Sequence, residues 1–340
     1  MLVFAVESSC DETSVCIINE NKDILSHIIC SQENHKNFGG VIPELASRAH
    51  LQILQKITRN ALIESKIDIN DIDVFCATCG PGLIGGLLVG SIFTKSLAFN
   101  LNKPFLPVNH LEGHLLSPTY NNKVKFPHIS FLLTGGHTQI YLIKDFNNYE
   151  LLGETVDDAI GEAFDKVSKL LGMSYPGGPE IERRSLDGNS DEYSLPQPMK
   201  NSKDLNFSFS GIKTAVNLIV KKKHKIDNKF ISDISASFQK TLVEILKNKL
   251  DSVFQLMLKR NMNIDQVSLV GGVAKNKYIR KNIKKSLRNY NSSILLPPDF
   301  MLADNAAMIG WSCIKTKKNN FQSNIHFSPD PRLKVSSNKL

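Results

Sequence analysis

The sequence has one C-x-x-C, Cys76-Ala-Thr-Cys79, and no second pair to answer it, which removes the zinc ribbons. A redox dithiol normally opens a helix, whereas Gly80-Pro81-Gly82 follows here at once. The pair therefore reads as the small-residue end of a strand in a reducing cytosol, and the other cysteines (Cys10, Cys16, Cys30 and Cys313) are scattered. The longest apolar stretch, GLIGGLLVGSIF, is too short and too rich in glycine to span a bilayer, and reads as a buried helix whose glycines let it pack closely. MLVFAVESSCDE has no basic region before its apolar run and reaches Glu7 immediately, so it is expected to be a strand and not a signal peptide. No segment has Walker spacing; the nearest, Gly90 to Lys95, sits among buried apolar residues. No Ser-His-Asp order can be argued, and Cys10 has no evident base partner.

What is present is an ordinary globular composition: 340 residues, 41% hydrophobic and 22% charged, enough for two domains and a large core. The net charge of +8 permits a nucleic-acid partner, although Lys and Asn abound throughout. The basic clusters Lys221-Lys222-Lys223, Lys284-Lys285 and Lys315 to Lys318 read equally as phosphate contacts or as solvated surface. A theme repeats along the chain. LVFAVESSCDETSVCII is strand, polar turn, strand; HISFLLTGGHTQIYLI is strand, Gly-Gly turn, strand. Helix-rich sequence follows each, so two related α/β lobes are expected, with the cleft between them as the default site. KVKFP near residue 125 reads as the linker, and LADNAAMIGWSCI as a final helix returning to the first lobe. Lobe I would comprise 1–122 with about 306–340, and lobe II 123–305. Pro43 starts a helix, Gly172 ends another, YPGGP at 175–179 reads as a rigid turn, and the tail after Lys315 as loosely held.

Residues 109–118, NHLEGHLLSP, place two histidines four apart. At about 100° per residue they share one helix face, roughly 40° apart, as a shared metal requires. In the H-E-x-x-H proteases the glutamate directly follows the first histidine; Glu112 comes one position later, about 180° from the pair, and cannot serve as base there. Asn109 is a natural N-cap, with Glu112 at N3 reaching back to it. Asp304 precedes a helix and reads as an N-cap, yet a carboxylate with two imidazoles would complete a facial set suited to iron or zinc. Three glycine turns, Thr134-Gly135-Gly136-His137, Pro176-Gly177-Gly178 and Gly271-Gly272, offer backbone N–H groups to anions and favour a nucleotide cleft. Glu44 and Arg48 form an i,i+4 pair, Asp165 and Lys166 read as a solvated face, and Ser210 as the cap of the helix carrying Lys213.

Assembled, these residues resemble a known family. ESSCDETS at 7–14, GGVIPELASRAH at 39–50, GPGLIGGLLVG at 80–90, NHLEGH at 109–114, LLTGGHTQ at 132–139, GEAFDKVSKLLG at 161–172, YPGGP, FSFSGIKT at 207–214, GGVAKN at 271–276 and DNAAMI at 304–309 look like the TsaD family of tRNA threonylcarbamoyladenosine synthesis, in order and over nearly the whole chain. The resemblance implies an actin/Hsp70/sugar-kinase-like (ASKHA) fold of two α/β lobes. It implies transfer of a threonylcarbamoyl group from threonylcarbamoyl-AMP to N6 of adenosine 37 in tRNAs reading codons that begin with A. By the family pattern His110, His114 and Asp304 hold one divalent metal, usually Fe2+, with Zn2+ also accommodated. Leu132, Leu133, Thr134, Gly135 and Gly136, with His137 beside them, would meet the acyl-phosphate end. Asp165, Gly178 and Asn276 would hold the nucleotide part, with Glu182 near the ribose. Asp11 and Glu12, in the first hairpin loop, are the candidates for removing the amine proton. Implied partners are tRNA, a smaller TsaB-like paralogue and a TsaE-like P-loop ATPase, in the cytoplasm. The rival readings are an ATPase or kinase of the same fold and a non-catalytic scaffold; the metalloprotease reading fails on Glu112.

Overall fold

A computed structural model describes residues 1–32, 40–317 and 323–335. The chain forms two compact units: Met1–Asn122 with Phe146–Tyr149 and Pro297–Leu340, and Lys123–Asp145 with Glu150–Leu296.

In unit 1, β1 (Leu2–Glu7) and β2 (Glu12–Asn19) form the first hairpin, Val3 opposite Ile18 and Glu7 opposite Ser14. β3 (Ile24–Ser31) extends it antiparallel. α1 (Pro43–Ser65) follows; Pro43 sits in its first turn, where its missing N–H costs no bond. β4 (Val74–Gly80) then pairs parallel with β1, α2 (Ile84–Asn100) crosses over, and β5 (Phe105–Asn109) pairs parallel with β4 before α3 (His110–Leu116). The sheet order is β3-β2-β1-β4-β5. Both faces are covered, so β1, β2 and β4 read as continuous apolar runs. Cys76 packs with Val3, Ala5 and Ile18 on one face, and Cys79 with Phe4, Val6 and Ile17 on the other. Residues three apart on a strand point to opposite faces, so this C-x-x-C can neither close a disulfide nor share a metal. Burial pushes both thiols up, Cys79 to about 12.

Unit 2 repeats the plan. It contains β6 (His128–Leu133), β7 (Thr138–Asp145), β8 (Asn148–Glu154), α4 (Ile160–Leu170), α5 (Gly177–Ser185), α6 (Ser210–Lys221), α7 (Asn228–Lys259), β9 (Gln266–Val270), α8 (Lys277–Leu287) and β10 (Ser293–Leu295). Its sheet order, β8-β7-β6-β9-β10, matches unit 1 strand for strand, with an antiparallel hairpin β6–β7 and parallel β6–β9 and β9–β10. The last helix, α9 (Ala306–Lys317), belongs to unit 1, where Met308, Ile309 and Trp311 pack on the Val3–Cys76 face. Among the described residues no helix is long and apolar enough to cross a membrane.

Three local expectations need correction. Ser210 does not cap α6: its hydroxyl donates to Asp157, 2.6 Å away, and that carboxylate takes the Phe209 and Ser210 N–H groups, capping the helix from a distant loop. YPGGP is not a turn throughout, because Gly177 and Gly178 already lie in the first turn of α5; a Cβ on Gly177 would stand 2.6 Å from Ser168 Cβ. The tail, where described, is tied down: Asn324 N–H donates to Phe105 O at 2.8 Å, Asp330 N–H to Cys79 O at 2.9 Å and Asn109 Nδ2 to Leu333 O at 3.3 Å. Residues 318–322 and 336–340, including Lys318, lie outside the described residues.

The glycines of α2 allow a close approach to β1. A Cβ on Gly86 would stand 2.2 Å from the Ser8 carbonyl oxygen, a backbone atom that cannot swing aside. Gly86→Ala is therefore expected to destabilise the protein by about 1–3 kcal/mol. Denaturant titration of the two proteins checks this, and a difference below about 0.5 kcal/mol would mean the approach is loose.

Candidate functional site

The two histidines are placed by a cap. Asn109 ends β5, and its Oδ1 accepts the N–H groups of Leu111 (2.9 Å) and Glu112 (3.3 Å), which starts α3. His110 and His114 then share a face with ring centroids 4.9 Å apart. Asp304 is not the cap of α9. Asn305 takes that role, accepting the Met308 N–H at 3.0 Å, and leaves the Asp304 carboxylate to the histidines. Asp304 Oδ1 lies 3.0 Å from His114 Nε2 and 3.5 Å from His110 Nε2. One ligand atom from each of the three residues falls within 4.8 Å of the others, so they form a candidate metal site. Both histidines are buried, whereas Asp304 is 24% exposed, so the site opens on the carboxylate side.

Behind His110 stands Glu7, at the end of β1 and fully buried. Its Oε2 is 3.0 Å from His110 Nδ1 and accepts the Thr78 hydroxyl at 2.5 Å; its Oε1 accepts the Ser9 N–H at 2.6 Å. A carboxylate only accepts, so His110 carries its proton on Nδ1 and turns the Nε2 lone pair toward Asp304 Oδ1. Two lone pairs facing each other call for a cation between them. In the metal-free chain a proton serves. Burial opposes charge on His110, but Glu7 and Asp304 outweigh it and hold its pKa well above that of free imidazole. Burial likewise opposes the charge on Asp304, and His110 outweighs it and holds the carboxyl well below its usual range. For His114, burial prevails and lowers the pKa. Glu12 is pushed up to about 10 by burial, then by Asp304, Asp11 and Glu7. This excess of carboxylate around two imidazoles fits a divalent cation, with Glu7 as the outer partner that orients the ligand.

Asp11, in the hairpin loop, and Glu12, which opens β2, stand between two residues held by His50 on the buried face of α1. His50 Nε2 lies 3.0 Å from Cys10 O and must be the donor; Nδ1 accepts the Thr13 hydroxyl at 2.7 Å. Sequence reasoning passed over Glu7 and His50. Each carries a signal: Glu7 closes an otherwise apolar strand, and His50 interrupts the buried series Ala46, Leu54, Ile57, Ala61.

Unit 2 gathers the other candidates. The turn at Thr134 to His137 is closed by Thr134 N–H to His137 O (2.9 Å) and His137 N–H to Thr134 Oγ1 (2.9 Å), leaving Gly135 and Gly136 exposed. Leu132 and Leu133 are fully buried, so only their main chain is left for a ligand. Gly271, at φ +92°, passes so close that a Cβ would meet Leu133 O at 2.5 Å, which sets the Gly271-Gly272 turn beside the Thr134 turn. Asp165 accepts the Gly177 N–H at 2.7 Å and so anchors α5, one residue before Gly178. Glu182 accepts the Lys277 N–H at 2.6 Å. Asn276 caps α8 through Ile279 N–H (2.9 Å) and donates to Gln239 Oε1 (2.7 Å). Asp165, Gly178, Glu182 and Asn276 thus lie along one bonded path, and both ends of the Asn276 amide are already engaged.

The sequence profile of the TsaD family, tRNA N6-adenosine threonylcarbamoyltransferase, matches residues 23–311. The chain belongs to this family. The threonylcarbamoyltransferase of Rickettsia rickettsii (strain Sheila Smith) is 44% identical over 333 residues, 97% of each chain, and that of Wolbachia pipientis wMel 43% over 335 residues, 98% of this chain and 99% of the other. Among solved structures, full-length HypF in its phosphate- and nucleotide-bound form superposes with a TM-score of 0.60 at 14% identity, over 95% of this chain and 47% of HypF. Component A of the (R)-2-hydroxyglutaryl-CoA dehydratase of Acidaminococcus fermentans gives 0.52 at 13% identity, over 94% and 98%. These likenesses show the fold, a two-lobe α/β architecture of the ASKHA type. As a tRNA N6-adenosine threonylcarbamoyltransferase, the chain is a tRNA-modifying transferase enzyme.

Proposed function

We propose that this threonylcarbamoyltransferase moves the threonylcarbamoyl group from threonylcarbamoyl-AMP to N6 of adenosine 37 in tRNAs reading codons that begin with A, with one divalent metal on His110, His114 and Asp304. The observation that carries the metal is the convergence of both Nε2 atoms on Asp304 Oδ1 with Glu7 behind His110. His/His/Asp accommodates Fe2+ or Zn2+, and the family pattern favours Fe2+. When bound, the metal supplies Lewis acidity to oxygens of the donor.

The transfer needs no protein nucleophile, because AMP is already a good leaving group. The N6 amine attacks the carbamoyl carbon, a C–N bond forms, the C–O bond to phosphate breaks, and AMP leaves with its electron pair. What the chain must supply is position and a home for one amine proton. Asp11 or Glu12 would take that proton. Burial, and then the neighbouring carboxylates Asp304, Asp11 and Glu7, favour the protonated form of Glu12 in the metal-free chain, and a dication among these carboxylates would offset the second of these causes. Leu132 to Gly136 and His137 would receive the acyl-phosphate end, with Asp165, Gly178, Asn276 and Glu182 around the nucleotide. We further take the two units to be lobes I and II, and place the enzyme in the cytoplasm. Support for a protein partner such as the TsaB-like paralogue comes from α2, where Ile84, Leu88 and Ile92 form an exposed apolar stripe at four-residue spacing. A TsaE-like ATPase would complete the system.

The test is nucleoside mass spectrometry of unmodified tRNA incubated with the protein, its partners and threonylcarbamoyl-AMP. A threonylcarbamoyladenosine peak is expected, and its loss in His110→Ala/His114→Ala. No peak with partners shown competent by another family member would favour the ATPase or scaffold readings.

A further inference from the structure

Helix α8 differs from the chain's other helices in its charge. KYIRKNIKKSL carries five basic residues and no acidic one, and Arg288 follows it. Ile279, Ile283 and Leu287 bury one face. Lys277, Lys281, Lys284, Lys285 and Arg288 are exposed on the other, at i, i+4, i+7, i+8 and i+11, one stripe about 16 Å long. Several cations on other helices are paired: Arg48 with Glu44, Lys166 with Asp158 and Glu162, Arg183 with Glu180, Lys229 with Asp233, Lys247 with Glu244. Others, such as Lys56, Arg59, Lys169 and Lys213, are not paired among the described residues, and what sets α8 apart is five such cations on one face with no acidic residue in the helix. Among the described residues none of the five stripe cations makes an ion pair.

We infer that the exposed face of α8 is a docking track for the phosphate backbone of the tRNA. Five unpaired cations in a line on a rigid helix repel one another and gain most from a linear polyanion. A small anion would engage one or two of them, whereas a polynucleotide strand engages them in succession. Lysine heads on flexible stems act as point charges, suited to holding phosphates without reading bases. The stripe also starts at the candidate nucleotide residues, since Asn276 caps the helix and Lys277 N–H is held by Glu182. The basic run Lys221 to Lys223 lacks this form: it is a short run across the C-terminal end of α6, and Lys223 lies over the Phe230 ring. The inference rests on the tRNA-modifying reading above.

The test compares full-length protein with Lys281→Gln/Lys284→Gln/Lys285→Gln and with a charge-matched control, Lys221→Gln/Lys222→Gln/Lys225→Gln. Affinity for an unmodified tRNA transcript is measured from about 50 to 200 mM salt, with metal content and thermal midpoint as checks on folding. The α8 variant is expected to bind 10- to 100-fold more weakly at low salt. Its slope of log K against log[salt] is expected to flatten by about 2, at roughly 0.7–0.9 for each phosphate no longer neutralised. The control is expected to keep both values. An unchanged slope overturns the assignment. So does an equal weakening in the control, or an α8 variant that binds tRNA normally and no longer binds its protein partner. Failure of the catalytic reading would appear separately, as parent protein that binds tRNA with the α8 dependence yet forms no threonylcarbamoyladenosine.

Discussion

Glu7→Gln is expected to weaken divalent-metal binding by about 10- to 100-fold while leaving all three ligands in place. Glu7 touches no metal. It acts through His110, where its carboxylate accepts from Nδ1 and so presents Nε2 as a lone pair. Glutamine has nearly the same shape but one acceptor oxygen: with that oxygen kept toward the Ser9 N–H, its NH2 faces His110 Nδ1 and the Thr78 hydroxyl, which can turn to accept, so the fold is retained. What disappears is the negative charge that raises the basicity of the imidazole and fixes its tautomer. Competition against a chelator with Zn2+, or with Fe2+ under anaerobic conditions, reads the effect directly and needs no turnover. Glu7→Ala goes further. It leaves the buried His110 with Asp304 as its one remaining carboxylate and strands the Thr78 hydroxyl and Ser9 N–H, a change of the kind that costs about 3–5 kcal/mol. If Glu7→Gln held metal within threefold of the parent, the glutamate would be a structural anchor of β1 and nothing more.

How far the sequence disclosed the site follows from how local each interaction is. The histidine pair was legible because helical periodicity alone puts positions 110 and 114 together, and Asn109 marks where the helix starts. The hairpins were legible from β-branched runs around polar turns, and their repetition from the likeness of the two runs. Asp304 was ambiguous because a carboxylate beside a helix start caps or coordinates with equal ease. Only the structure shows Asn305 doing the capping, one residue on. Ser210 was misread for the complementary reason: its partner, Asp157, is more than fifty residues distant, and no local pattern announces it. Glu7 and His50 belong to the same class. Their partners lie 103 and 37 residues away, and the sequence shows only a polar residue on an apolar face. The lone C-x-x-C was legible once its strand was accepted, since an i,i+3 pair on a strand cannot converge.

Acidification from pH 7 to pH 5 is expected to take about 2 kcal/mol from the stability of unit 2 through His128 alone. His128 opens β6, is 1% exposed, and neither ring nitrogen has a hydrogen-bond partner among the described residues. Burial disfavours its charged form and lowers its pKa to about 4. In the unfolded chain the group titrates near 6.5. Between these values the unfolded state binds the proton and the folded state refuses it. The contribution is therefore whole above about pH 6.5, declines as pH falls toward 4, and is constant below. His27, with a folded pKa also near 4 for the same reason, pulls unit 1 in the same direction. His128→Leu separates the two. It removes both unpartnered nitrogens, so at pH 7 it is expected to be neutral or slightly stabilising, and the acid loss in unit 2 should shrink by about 2 kcal/mol. The sole tryptophan, Trp311, reports on unit 1, so unit 2 must be followed by hydrogen exchange of the β6 and β7 amides at both pH values. An undiminished acid loss in His128→Leu would place the sensitivity elsewhere in unit 2.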